Sequence, residues 1–344
     1  MIITFSVKVL HGIELNLSCW IDLRMKIFGS FILLIVVDTI FCSCPDNTVP
    51  WSNGTCKPVK EAVFEATEFL KEYMPNFDQP NEATLFEGGI VIPTVNISLM
   101  ARQKYPWAEN ISIDLFFDYV LPYASVNEAR TDWRQLIWDK LTPEIDEHQS
   151  YKNTDDLNVL ELVAQFVNSK IWSLLAPKDT DNIIFKSSQT PLIYDPMSTM
   201  LFGYASCTGI SILYIDALRT LGIPARLVGT PAWNGNVENG NHNWVEVWLG
   251  NDESGGWKFI EGLPAGGPSE TFENPCDKWF CTAAHFGGDQ DTNVFAARYS
   301  ESEISYPMAW DLDNTDIPGV DRTEYYHEKC RPCSARMPVI NLLP

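Results

Sequence analysis

Thiol-based acyl transfer needs a thiolate, an imidazole to share its proton, and a carboxylate or amide to orient that imidazole. Cys207, His242 and Glu261 supply those three types, in that order along the chain. Cys207 opens the run CTGISILYIDALRTL. At a helix start, unpaired N–H groups and the dipole favour a thiolate and can hold an oxyanion. Taken alone, a cysteine there also reads as a small buried hydrophobe or half of a disulfide. A lone histidine at a strand start reads as a polar edge residue. The order of the three, rather than any one of them, points to chemistry. Gln189, in SSQTP upstream, is a side-chain candidate for the oxyanion donor and otherwise an ordinary loop residue.

The elements that must position these groups are legible around them. Ile210, Leu213, Tyr214, Ala217, Leu218 and Leu221 fall on one face of a predicted helix that starts at Cys207. Gly222 stands where a left-handed cap is wanted, and Pro224 prevents continuation. ARLVGTPAW then reads as a strand, and the Gly/Asn loop NGNVENGN delivers His242 to the start of another. In WVEVW, Trp244, Glu246 and Trp248 share one face, with Val245 and Val247 on the other. A turn at DESGG leads to WKFIEG, a second strand with Glu261 near its end. Upstream, 61–75, 129–140 and 158–175 read as amphipathic helices, the first presenting Val63, Phe64, Ala66, Phe69, Leu70 and Met74 and stopped by Pro75. The chain is therefore helical first and strand-rich later, an α+β pattern with an antiparallel sheet packed on the Cys-bearing helix.

GYASCTGISILYIDALRTLGIPARLVGTPAW, followed by GNHNWVEVW and GGWKFIEG, resembles the transglutaminase-like superfamily, whose core is papain-like. The resemblance rests on a Cys opening a helix, then GIPAR, then H-x-W-V-E-V, and it extends over roughly 60–326. It implies catalytic roles for Cys207 and His242. Where the family usually has Asp this chain has Glu261, and LPAGG (263–267) holds no second acid, so the third role is the one least supported by the pattern. The family includes cross-linking enzymes, cysteine proteases, amidases and catalytically dead scaffolds, so fold alone does not set the reaction. Two readings follow: a thiol enzyme acting on protein or peptide amides, or a non-catalytic extracellular binding or matrix protein that keeps the fold.

The remainder of the sequence bounds the setting. A net charge of -21, from 24 Lys plus Arg against 45 Asp plus Glu, repels phosphate backbones and excludes nucleic-acid binding as a main activity. Met25, Lys26 and the apolar run IFGSFILLIVV read as a secretory signal region over 1–43, with Met25 as a candidate start. That run is about half the roughly 20 residues of a membrane span, so a cleaved signal is expected, with a signal anchor as the alternative. No stable membrane association is expected after cleavage. A short Cys-containing segment (44–60) would precede the main domain (61–326), and a Cys-containing tail (327–344) would follow it. Asn53, Asn96 and Asn110 head N-glycosylation triplets.

After the leader, Cys44, Cys56, Cys207, Cys276, Cys281, Cys330 and Cys333 remain, an odd set that leaves one thiol free. Cys207 is the expected free thiol. Cys276/Cys281 and Cys330/Cys333 have zinc-like spacings, but disulfides suit an oxidising compartment better. Cys330-Arg-Pro-Cys333 as a redox motif lacks a helix start to lower its pKa. No cofactor is expected. The oxygen-rich stretches 179–182, 289–293 and 311–316 admit calcium, though none has EF-hand spacing.

Overall fold

The computed structural model describes residues 2–9, 13–28, 32–148, 151, 159–250, 256–266, 272, 274–275, 278–286 and 292–330. The chain divides into two compact units, Met1–Phe64 and Glu65–Pro344.

In the first unit, β1 (Ile2–Val9), β2 (Ile13–Phe28) and β3 (Ile32–Ser43) form an antiparallel meander. Of the apolar stretch read as a signal core, Ile27 and Phe28 end β2, 32–37 belong to β3, and 29–31 lie outside the described residues. A small hairpin follows, β4 (Thr48–Pro50) with β5 (Cys56–Pro58), closed by the Cys44–Cys56 disulfide. Helix α1 (Val59–Glu72) leads out of this unit.

The second unit opens on helices: α2 (Glu82–Glu87), α3 (Val91–Lys104), α4 (Pro106–Glu109), α5 (Ile113–Tyr119), α6 (Trp133–Glu147) and α7 (Val159–Leu174). Two features differ from the sequence reading for physical reasons, one a buried stripe and one a helix boundary. The buried stripe of α1 runs through Ala66 and Leu70, while Phe64 is 68% exposed, because the i, i+4 rows of a helix outrank side-chain size. Helix α6 starts four residues later than its apolar pattern suggested, since Arg130 is tied to Asp78 at 2.9 Å and to the Glu128 carbonyl at 2.6 Å. It then continues through Pro143 because Leu141 and Ile145 keep its buried stripe going.

A two-residue strand β6 (Ile184–Phe185) pairs in parallel with β7 (Tyr204–Ala205), bracketing α8 (Pro196–Phe202). Then come α9 (Cys207–Thr220), β8 (Ala225–Thr230), β9 (His242–Trp248), β10 (Trp257–Ile260), α10 (Leu263–Gly266), α11 (Ala283–Phe286), β11 (Phe295–Ala297), β12 (Gly319–Asp321) and α12 (Thr323–Cys330). Five strands form one antiparallel sheet in the order β10-β9-β8-β11-β12. The fold class expected from the sequence, a helical first part and an antiparallel sheet on the Cys-bearing helix, is the one observed.

Helix α9 is buried on every side rather than on one face. It lies between the sheet and a shell of α3, α6, α7 and α8, so positions away from Ile210 and Leu213 also meet protein. A helix with no solvent face needs few polar residues. Gly222, just past its end, takes the left-handed conformation (φ +77°) that its position predicted. On the sheet face toward α9, Ala225, Leu227, Val245 and Val247 join the main core. The opposite face carries Val228, Trp244 and Phe259, which pack with Phe280, Phe286 and Tyr326. Strand β9 is thus buried on both faces, and that fixes its register firmly. Among the described residues, no single helix is long and apolar enough to cross a membrane.

Candidate active site

Cys207 is the first residue of α9, and it keeps some exposed surface. Its neighbour Ser206 makes no side-chain cap; its hydroxyl instead meets that of Thr190 at 2.6 Å. The first turn is therefore not capped by the Ser206 hydroxyl. His242 opens β9 opposite Thr230 of β8, and Trp244 pairs with Val228. Ile260 of β10 pairs with Val245, so Glu261, the next residue, falls on the face that carries His242 and Trp244. Diagonal neighbours on one sheet face lie within reach of long side chains. His242 Nε2 stands 2.6 Å from Glu261 Oε1, with both side chains buried. That pairing leaves Nδ1 for the hydrogen bond between His242 and the Cys207 thiol.

The electrostatics follow from this geometry. Burial alone would push the Cys207 thiol up. The hydrogen bond and charge of His242, with the Asn243 backbone N–H and the Thr208 hydroxyl, outweigh it and lower the thiol below its ordinary value. Burial alone would push His242 down. Hydrogen bonds to Cys207 and Glu261, and their negative charges, raise it instead to about 9. A lowered thiol beside a raised imidazole favours the thiolate–imidazolium form of the pair over the neutral one, relative to the two groups apart.

A pH profile reads this directly. Alkylation of Cys207 by iodoacetamide is expected to titrate with a midpoint below the ~8.5 of an ordinary thiol. Any step that needs the imidazolium should fall off as pH rises through about 9. The stability contribution has the same sign. His242 is raised above its usual 6.5, so the stabilisation is complete below that value and lost as pH passes about 9. Alkylation with an ordinary midpoint would count against the pair.

Glu261 is held by groups that the sequence reading missed. Asn168 of α7, fully buried, donates from Nδ2 to the Glu261 carbonyl at 2.9 Å, and its Oδ1 accepts the Leu263 N–H at 2.9 Å. Lys278 Nζ lies 3.8 Å from Glu261 Oε2 and donates to the Gly266 carbonyl at 2.9 Å. Trp279 and Phe280 flank the His242 ring, each at 5.2 Å between centroids. The available signal was Asn168 itself, a lone amide within the apolar stripe Val163, Ala164, Val167, Ile171. Lys278 had none, because the loop that brings it to Glu261 has no periodicity to read.

Replacing Glu261 is expected to separate orientation from charge. Glu261→Gln should slow turnover by about 10- to 1,000-fold, since an amide still accepts the imidazole N–H and the thiolate remains a strong nucleophile. Glu261→Ala should cost more. Steady-state rates of both variants decide it, and two near-wild-type rates would leave a Cys–His dyad.

The other candidates are placed as follows. Gln189 is half-buried, its Nε2 donating to the Ser187 carbonyl at 3.2 Å, one residue from the Thr190–Ser206 contact. Asn96, on α3, and Asn110 are exposed, and Asn53 lies in the turn Ser52–Gly54. Cys281 and Cys330 are joined by a disulfide, which removes the zinc reading and the Cys330/Cys333 redox reading for these two sulfurs. A cysteine already oxidised to a disulfide has no thiolate to offer a metal. Cys276 and Cys333 lie outside the described residues, while Cys207 is a free thiol. Among the described residues, no three His, Cys, Asp or Glu side chains gather as a metal site; Asp289 and Asp291 of the 289–293 stretch lie outside them.

Residues 147–261 match the family model of the transglutaminase-like superfamily. That stretch carries Cys207, His242 and Glu261. Among solved structures, a candidate cysteine protease from Cytophaga hutchinsonii is similar over 62% of this chain and 64% of its own, at 15% identity and a TM-score of 0.27. The chain thus spans less than two thirds of that protein. No curated protein matches this chain.

Proposed function

We propose that this transglutaminase-like chain catalyses thiol-dependent acyl transfer on protein or peptide amides, through Cys207, His242 and Glu261. The observation that carries the reading is one continuous contact chain: thiol, imidazole and, 2.6 Å beyond, a buried carboxylate. Cys207 Sγ adds to the amide carbonyl carbon. The oxyanion forms over the start of α9, where the Cys207 N–H is the backbone donor. Gln189 is the side-chain donor; a primary amide has two hydrogens and only one is used by Ser187. His242 then gives its proton to the departing amine as the C–N bond breaks, leaving a thioester on Cys207. Water or a second amine attacks that thioester, and His242 takes the proton released. Glu261 keeps the ring oriented and stabilises it while charged.

The setting proposed is the secretory route. The Cys44–Cys56 and Cys281–Cys330 disulfides support an oxidising compartment. Exposed Asn96 and Asn110 support glycosylation there. Partners are polypeptide substrates, with nucleic acid disfavoured by the net charge of -21.

The deciding experiment runs amine incorporation beside peptide hydrolysis, on wild type and Cys207→Ala. Product from wild type alone, in either assay, supports the reading and identifies the acceptor. No product in either, from a thiol that iodoacetamide does not label, leaves a binding protein that keeps the fold.

A further inference from the structure

Asn243 is the residue between His242 and Trp244, on the β9 face opposite theirs. It is 4% exposed. Its Nδ2 donates to Thr208 Oγ1 at 2.9 Å, and Thr208 is the residue after the nucleophile on α9. Its Oδ1 accepts from the hydroxyl of Tyr306 at 2.5 Å, and its own carbonyl accepts from Ser211 Oγ of α9 at 3.4 Å. Space has been cleared for this amide. It faces Gly229 of β8, where any Cβ would lie 2.2 Å from Asn243 Oδ1 and 2.6 Å from the His242 carbonyl. No other residue type fits at 229 while Asn243 holds that position.

We infer that Asn243 is a positioning residue that locks the histidine strand onto the first turn of the cysteine helix, with Thr208 as its latch and Tyr306 as its anchor. The inference rests on Cys207 being the reactive thiol. The geometry argues for more than ordinary packing. Apolar contact between α9 and β9 fixes their separation, but it is non-directional and tolerates sliding along the strand. A thiol and an imidazole must share a proton across a single hydrogen bond, which a shift of about 1 Å would break. The side-chain bond from Asn243 to Thr208 is directional, and it joins the neighbours in sequence of the two reacting residues. Tyr306 holds the amide in the orientation that presents Nδ2, rather than Oδ1, to Thr208. A backbone donor is set by the same arrangement, since the Asn243 N–H also reaches the Cys207 sulfur. The charged and titratable groups around the thiol are then His242 and Tyr306, with Glu261 and Lys278 behind the imidazole.

The test follows iodoacetamide labelling of Cys207 against pH in the full chain, with circular dichroism recording the fold of each variant. Asn243→Ala and Thr208→Val remove the latch from opposite ends, and Thr208→Ser keeps the hydroxyl. The expected result is a rise of about one pH unit in the labelling midpoint for Asn243→Ala and Thr208→Val, with a rate ~5-fold slower at the wild-type midpoint and approaching ~10-fold slower well below it. Tyr306→Phe should shift the midpoint in the same direction by less, and Thr208→Ser should restore wild-type behaviour. A purely structural role would lower melting temperature and leave the Asn243→Ala midpoint in place; Thr208→Val also removes the hydroxyl's direct bond to the sulfur, so the Asn243→Ala shift is the one that reads the latch. Folded Thr208→Val with the wild-type midpoint overturns the inference, even if Asn243→Ala fails to fold. An ordinary midpoint in the wild type itself would instead overturn the reading of Cys207 as the nucleophile.

Discussion

Cys207→Ala and His242→Ala are each expected to lower acyl-transfer turnover on the order of 10⁴-fold or more, and the double variant should lose no more than either. Nucleophile and base act as a unit, so removing one already removes what the other contributes. The structure gives the reason in distances. His242 is committed at both nitrogens, to Glu261 at 2.6 Å on one side and to the thiol on the other. Without Cys207 the imidazole has no proton to receive. Without His242 the thiol is left with burial, which pushes it up, and with only the weaker help of the Asn243 N–H and the Thr208 hydroxyl. Product formation by the single and double variants, under conditions where wild type turns over, measures the coupling. Additive losses would show that the two residues work separately and would remove the pair as the catalytic unit.

The largest stability effect is expected two strand positions beyond Trp244, at Glu246. This carboxylate has no exposed surface. Arg226 donates to it from Nη2 at 2.6 Å and from Nε at 2.9 Å, Arg322 Nε donates at 3.0 Å, and the Tyr326 hydroxyl donates at 3.0 Å. Burial would push the carboxyl up, but the two guanidinium groups outweigh it and hold Glu246 below the usual carboxylate range. Arg226 is itself buried and stacked at 3.9 Å over Trp257. Glu246→Ala therefore strands two cations against the sheet. The expected cost is about 3–5 kcal/mol, which for a unit of this size is a fall in melting temperature on the order of 10 °C. Arg226→Met in the Glu246→Ala background should recover part of that loss, because it removes one uncompensated charge. Thermal melts followed by circular dichroism give both numbers. A cost below about 1 kcal/mol for Glu246→Ala would mean that solvent reaches the pair. Glu246 also ties β8 and β9 to α12, whose far end is fastened by the Cys281–Cys330 disulfide to the loop against His242.

The parts of this molecule that were legible in the sequence are those set by local physics. The start of α9 at Cys207, its end at Gly222, and the strands of ARLVGT, HNWVEVW and WKFI follow from apolar periodicity and from residues that cap or break elements. These depend on neighbours a few positions away, and the chain writes them directly. The order of thiol, imidazole and carboxylate along the chain was likewise plain, as was Cys207 as the free thiol. The meeting of Glu261 with His242 was suggested by adjacent strands, but the 2.6 Å contact is a consequence of register. Register was decided by burying both faces of β9 at once, between α9 on one side and Phe280 and Tyr326 on the other.

Other features were decided by tertiary structure alone. Phe64 turned outward because the helix rows, not side-chain size, choose the buried stripe. Asn168 reaches Glu261 across 93 residues, Tyr306 reaches Asn243 across 63, and Arg322 reaches Glu246 across 76. Each is a polar group whose partner is absent from its own neighbourhood, so no period or motif marks it. A buried polar group must find a partner somewhere, and only the folded chain says where.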